Sequence, residues 1–323
     1  MTAPLILALP SKGRLKEQVE DWLADCGLPL ATAGGDRGYA ARLDGLADVE
    51  VRLMAAAEIA SALFAGDAHL GVTGEDLLRE LAHDLDERVM LIQALGFGPA
   101  DLVVAAPKSW IDVTTMADVD EVAHLYLART GRRLRVATKY LTQTRAFFAR
   151  HGIADYRIVE SGGATEGAPA AGAAELIADI TTTGATLAAN GLKPLTDGLI
   201  LSSQAQLAAG LGAEWDRERL ESARRLVRIL EARARARRTA TLSWPAEADA
   251  AARRAVAKLK GVSAPTLSGL GLLVDQGDVF VVTAVLADAG VGPVTVAGPS
   301  YVFESASAQI EALARRLRLG GGE

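Results

Sequence analysis

With 323 residues, half of them apolar and 23% charged, the chain has the material for a sizeable core and the length of two or three domains, which excludes a disordered polypeptide. A net charge of −6 with both signs interspersed excludes a general nucleic-acid binder, so any anion site has to be assembled locally. The single cysteine, Cys26, excludes an internal disulfide, and its helical spacing with Leu15, Val19, Trp22 and Leu23 marks it as a packing residue.

The opening M-T-A-P-L-I-L-A-L-P lacks a basic lead and a core long enough for an export signal. No segment approaches the roughly 20 apolar residues that span a bilayer, so a cytoplasmic protein without membrane contact is expected. Leu5 to Leu9 reads as a short buried strand stopped by Pro10. Arg14 to Cys26 reads as a helix with apolar positions at 15, 19, 22, 23 and 26. Val49 to Met54 and His69 to Val72 predict further strands, with helical stretches after Glu58 and Glu75. This alternation predicts an open α/β sheet with a ligand crevice at its strand ends.

Asp101 to Ala106, Leu134 to Ala137 and Tyr156 to Glu160 predict strands of a second lobe, with a helix around Thr142 to Arg150. Gly198 to Ser203 is strand-like and is expected to return the chain to the first lobe. The domains expected are a first lobe of residues 1–96 and 195–215, a second lobe of 97–194, an arginine-rich connecting helix at 216–238, and a small α+β module at 239–323. The connecting helix carries Leu220, Ala223, Val227 and Leu230 on one face and reads as solvated, with a partner surface as the alternative. The last module reads β-α-β-β, a Gly/Pro-rich stretch and a closing helix with Ile310, Leu313 and Leu317 in line.

Three stretches carry chemistry. P-S-K-G-R-L places Lys12 and Arg14 around Gly13 where a strand ends and a helix begins, a position suited to polyphosphate. G-V-T-G-E-D repeats that kind of turn at Thr73 and Gly74. The third is D-I-T-T-T-G-A-T-L, Asp179 to Leu187: a run of small donors around Gly184, where no Cβ blocks an approaching phosphate monoester. Asp179 is left to hold hydroxyls.

Together these stretches resemble the ATP phosphoribosyltransferase family. Its loop pattern is a glutamate, five residues, a glycine, then small and apolar positions leading to Asp-x-x-x-Thr/Ser-Gly-x-Thr-Leu. Glu166, Gly172, Ala174, Ile177, Asp179, Thr183, Gly184, Thr186 and Leu187 fill that pattern without a mismatch. A-L-P-S-K-G-R-L, G-V-T-G-E-D-L-L, L-G-F-G at Leu95 to Gly98 and R-V-A-T-K-Y at Arg135 to Tyr140 are similar to family blocks in the expected order, so the resemblance covers roughly residues 5 to 210.

The resemblance implies a two-lobed catalytic region like that of periplasmic binding proteins, with the cleft between the lobes, plus the small α+β module. It implies transfer of phosphoribosyl from phosphoribosyl pyrophosphate to N1 of ATP, the first step of L-histidine biosynthesis, with Mg²⁺ carried on the substrate phosphates and no protein metal site. Glu166, Asp179, Thr181, Thr182, Thr183, Gly184, Ala185, Thr186 and Leu187 would bind the donor, and Lys12, Gly13, Arg14, Thr73 and Gly74 would bind ATP. Asp179, Lys12, Arg14 and Arg37 are the residues expected to serve the transfer itself. Glu160 and Glu166 read as orienting groups rather than proton carriers, since adenine N1 has no proton to lose before attack.

Two departures stand out. Many family members carry an arginine at the helix entry where this chain reads Met54-Ala55-Ala56-Ala57-Glu58. The last module also differs, as read, from the β-α-β-β-α-β histidine-binding domain of the long-form enzymes. The catalytic part is more similar to the short form, which works with a histidyl-tRNA-synthetase-like regulatory subunit. A homo-oligomer, that subunit and L-histidine as inhibitor are thus the partners implied. A two-lobed protein that binds a phosphorylated ligand without catalysis is the alternative.

Overall fold

A computed structural model of the chain describes residues 4–32, 40–82, 84–259, 266–267 and 271–319. The opening apolar run forms β1 (Leu5–Pro10), buried along nearly its whole length near the middle of a seven-stranded sheet. Such strands are continuous in apolar residues because both faces are covered. Around it lie α1 (Gly13–Asp25), β2 (Leu30–Thr32), β3 (Ala40–Leu43), β4 (Val49–Met54), α2 (Ala56–Ala65), β5 (Leu70–Gly74), α3 (Glu75–Leu81), α4 (Leu85–Arg88) and β6 (Val89–Ala94). Strands β4, β1 and β5 are neighbours and parallel, with Leu7 opposite Val51 on one side and Leu70 on the other. Their C-terminal ends, and the turns that follow, therefore share one edge of the sheet.

Past Leu95 the chain crosses into a five-stranded sheet. This second lobe contains β7 (Ala100–Pro107), α5 (Met116–Thr130), β8 (Leu134–Thr138), α6 (Leu141–Arg150), β9 (Tyr156–Glu160), β10 (Leu176–Thr181), α7 (Ala185–Ala189) and β11 (Leu192–Ser203), in the strand order β11-β7-β10-β8-β9. β10 runs parallel to β8 and antiparallel to β7. The return crossing is at Gln204, later than expected. Gly198 to Ser203 belongs to β11, which pairs with β7, and it is β12 (Ala205–Gly210) that enters the first sheet between β5 and β6. The two crossings are tied together, because the Gly96 N–H donates to the Gln204 side-chain oxygen at 2.9 Å and the Ala205 N–H to the Phe97 carbonyl at 3.0 Å.

Helix α8 (Arg217–Ala236) opens on Asp216, whose carboxylate accepts the Arg219 N–H at 2.7 Å. It is not a solvated connector. Leu220, Ala223, Leu226, Val227 and Leu230 enter the core of the first lobe with β1, β4 and α1.

The third sheet has the order β14-β15-β13-β16, built from β13 (Thr239–Ser243), α9 (Asp249–Val256), β14 (Thr266–Leu267), β15 (Gly271–Asp275), α10 (Val279–Asp288) and β16 (Thr295–Ala297). The module is therefore β-α-β-β-α-β, and the expected β-α-β-β order is corrected. Helix α11 (Ala308–Arg316) does not close it. Ile310, Leu313 and Ala314 return to the first lobe's core beside α8, where Glu311 pairs with Arg224 at 3.0 Å.

Candidate active site

On the first lobe, the turn after β1 places Lys12 just before α1, with Gly13 at φ +75° and Lys12, Gly13 and Arg14 exposed. Neither cation is ion-paired among the described residues, so both are available to an anion at this edge. The turn after β4 carries no cation: the Ala55 N–H donates to the Glu58 carboxylate at 2.8 Å, and that acid caps the helix. The turn after β5 holds Thr73, Gly74, Glu75 and Asp76. A Cβ on Gly74 would collide with the Asp76 carboxylate, so the backbone here is shaped around that side chain.

On the second lobe, β10 ends in the phosphate-type loop. Asp179 is half-buried near the strand's C-terminal end, and one of its oxygens accepts the N–H of Ile180 at 2.9 Å. Burial raises its carboxyl pKa. Glu166, in a short 3₁₀ turn at Thr165–Gly167, adds to that rise, while Lys139 and the Thr165 hydroxyl oppose it. Asp179, Glu166, Lys139 and Thr165 thus form one electrostatic cluster at the ends of β8 and β10.

The loop is stiffened by its own hydroxyls. The Gly184 N–H donates to Thr181 Oγ1 at 2.9 Å, the Ala185 N–H to Thr183 Oγ1 at 3.4 Å, and Thr182 Oγ1 to the Pro99 carbonyl at 3.2 Å. Gly184 sits at φ +74°, a conformation that costs other residues strain. Helix α7 is only five residues long, so its dipole adds less than a full helix would, and the donors are hydroxyls and backbone N–H groups.

Not every expected site residue faces this edge. Thr73 is fully buried and its hydroxyl donates to the Ala56 carbonyl at 2.8 Å, tying the β5 turn to α2. Leu187 packs with Val103, Ala105, Ile177 and Leu192, and anchors the loop from inside. Arg37 lies outside the described residues. Asp179, Glu166 and Thr181 to Thr186 are brought together, whereas Lys12 and Arg14 stand on the opposite lobe with no direct bond to them. Glu160 ends β9 exposed.

The buried contact between lobes made by Asp76, Tyr140 and Ser203, and the capping of α6 by Glu80, are not among the features expected from the sequence. The contact's signal lay in G-V-T-G-E-D and R-V-A-T-K-Y, which supply two of the three partners. A separate cavity of about 470 Å³ lies between the C-terminal part of α8, the end of α1 and the end of β6, lined by Trp22, Asp25, Cys26, Ala94, Arg233 and Arg237 among others.

Fold and edge together define a two-lobed α/β protein with a phosphate-type loop on one lobe and a cationic turn on the other. The model of the ATP phosphoribosyltransferase (HisG) family matches residues 55–231. An ATP phosphoribosyltransferase of Caulobacter vibrioides (strain NA1000 / CB15N) is 64% identical over 318 residues, covering 98% of this chain and 99% of that one. One from Bradyrhizobium diazoefficiens is 51% identical over 325 residues, covering 98% and 100%. The chain belongs to the ATP phosphoribosyltransferase family and is a pentosyltransferase of histidine biosynthesis. In fold it is similar to the ATP phosphoribosyl transferase (HisG:HisZ) complex from Thermotoga maritima, with a TM-score of 0.53 and 24% identity over 70% of this chain and 96% of that one.

Proposed function

We propose that the loop after β10 seats the 5′-phosphate of phosphoribosyl pyrophosphate and that Asp179 accepts hydrogen bonds from its ribose hydroxyls. The observation that carries this is the left-handed Gly184 between hydroxyl-braced threonines, with a half-buried carboxylate at the end of the same strand. ATP would enter from the first lobe, its phosphates near Lys12 and Arg14. In the transfer, adenine N1 bonds to carbon 1 of the ribose as the bond from that carbon to pyrophosphate breaks, and the electron pair leaves with the pyrophosphate oxygen. Carbon 1 is cationic in the transition state, so fixed carboxylates on one side and cations on the leaving group lower the barrier.

Mg²⁺ belongs to the substrates in this reading: it neutralises pyrophosphate as it departs. Among the described residues no three of His, Cys, Asp and Glu gather as a cage. No described helix is long and apolar enough to cross a membrane, and a cytoplasmic location goes with the biosynthetic role. The β-α-β-β-α-β order of the third module is that of the long-form histidine-binding domain, which favours L-histidine as an inhibitor bound there over a separate regulatory subunit.

Incubating the purified chain with ATP, phosphoribosyl pyrophosphate and Mg²⁺ tests the reading. Pyrophosphate release by the chain alone, reduced by added histidine, is expected. Binding of phosphoribosyl pyrophosphate without release would favour the non-catalytic ligand-binding alternative. Turnover unaffected by histidine would remove the regulatory assignment only.

A further inference from the structure

Asp76, in the first turn of α3, is 5% exposed, Tyr140 1% and Ser203 4%, so water does not compete for their bonds. The Tyr140 hydroxyl donates to Asp76 Oδ2 at 2.7 Å. The Ser203 hydroxyl donates to Oδ1 at 3.1 Å, and its oxygen accepts the Asp76 N–H at 3.0 Å. One partner comes from each lobe and the third from the end of β11, at the crossing between them. A buried carboxylate needs its bonds made, and here hydroxyls on the second lobe and the crossing satisfy it.

The same helix pair is fastened twice more. Glu80 of α3 accepts the N–H groups of Thr142 and Gln143 at 2.8 and 3.2 Å, and the Gln143 side chain donates to the Asp76 carbonyl at 2.9 Å. At each end of the contact lies a substrate-facing element. Asp76 shapes the Gly74 turn on the first lobe, and Tyr140 follows Lys139, whose charge reaches Asp179 on the second.

We propose that Tyr140 is a positioning residue for the transfer: through Asp76 and Ser203 its hydroxyl sets the angle between the lobes, and with it the alignment of the donor ribose with ATP. This rests on the reading of the β10 loop as the donor seat. Burial, reinforced by Asp76, pushes the phenol far above its usual range, so it remains a donor at every working pH. Transfer needs the reacting atoms about 3–3.5 Å apart, and a misplacement of about 1 Å costs on the order of 10²-fold in rate. A pivot shifted by one lost hydrogen bond acts over that range.

The test is Tyr140→Phe, which keeps the ring and removes the hydroxyl. With folding verified by circular dichroism, kcat at saturating substrates should fall at least 10-fold while the Kd for phosphoribosyl pyrophosphate, measured by calorimetry, stays within threefold. Asp76→Ala should lose rate similarly, and Asp76→Asn, which retains an acceptor for Tyr140, should recover most of it. If Tyr140→Phe does not fold, Ser203→Ala is read in the same assays with at least a threefold fall in kcat. A folded variant with kcat within twofold of the parent, or a Kd that weakens in step with kcat, overturns the proposal. Donor affinity unchanged in Asp179→Ala would instead overturn the donor seat, leaving the Tyr140 result intact.

Discussion

Gly184→Ala separates the backbone of the loop from its ligand. A Cβ there meets no heavy atom within 4 Å, so the substitution creates no clash in the empty protein, and its intrinsic penalty is conformational because φ is +74°. An alanine held in the left-handed region costs about 1–2 kcal/mol, partly offset by the ~0.4–1 kcal/mol that a less flexible unfolded chain returns. A net loss of about 1 kcal/mol, or a Tm lower by about 1–2 °C, is expected. The open space beside Gly184 is where the 5′-phosphate is proposed to lie. Loss of one charge-assisted bond, worth about 1.5–3 kcal/mol, weakens donor binding by about 10- to 150-fold. Calorimetry with phosphoribosyl pyrophosphate and Mg²⁺ reads the affinity, and thermal melts read the stability. Gly184→Asn tolerates the left-handed backbone better and should regain stability without regaining affinity. A Gly184→Ala protein that melts early and still binds the donor within twofold refutes the loop as the phosphate seat.

Three further outcomes follow from the side-chain environments. Burial raises the Asp179 pKa, so its ionised form destabilises the fold at neutral pH and that penalty fades as pH falls through the folded value. Asp179→Asn should therefore melt no lower than the parent at pH 8 while losing on the order of 10²-fold in turnover, and a clear drop in Tm would contradict this. Asp25 is held far below its ordinary 3.8 by the Arg233 guanidinium first and by Arg237 after it. Its stabilisation is complete above that ordinary value and is lost as pH falls toward the folded one. In urea melts, the gap between the parent and Asp25→Asn should narrow below about pH 4, and a gap independent of pH would count against the pairing. Burial pushes the Cys26 thiol up to about 11, so at pH 8 an alkylating reagent should label the native protein far more slowly than the urea-unfolded one; equal rates would contradict the packing role.

Local chemistry explains what could be read from the chain. A phosphate seat requires small residues and a glycine at fixed spacing, so Thr181 to Thr186 carry their meaning within six positions. The opening strand and helix are similarly legible because Leu5, Leu7, Leu9, Val19 and Leu23 follow the periods of the faces they bury. Val279–Asp288 is different. V-F-V-V-T-A-V-L is apolar but for Thr283 and rich in β-branched valines, so neither period shows and its composition favours a strand. Tertiary packing makes it a helix, with Val282 and Leu286 buried and Phe280 left 86% exposed. That reversal changed the third module's topology and with it the regulatory reading. Helix α8 illustrates a second kind of failure: its arginines predict solvent, and the segments that cover its apolar face, β1, β4, α1 and α11, all lie far from it in the sequence. Asp76, Tyr140 and Ser203 were hidden for the same reason, being separated by 64 and 127 positions from Asp76. Two of them stood in stretches already marked as family-like, yet a stretch of sequence names no partner. Bonds that join lobes are set by topology, and topology brings the end of β11 against α3 only where the chain turns back toward the first sheet at Gln204.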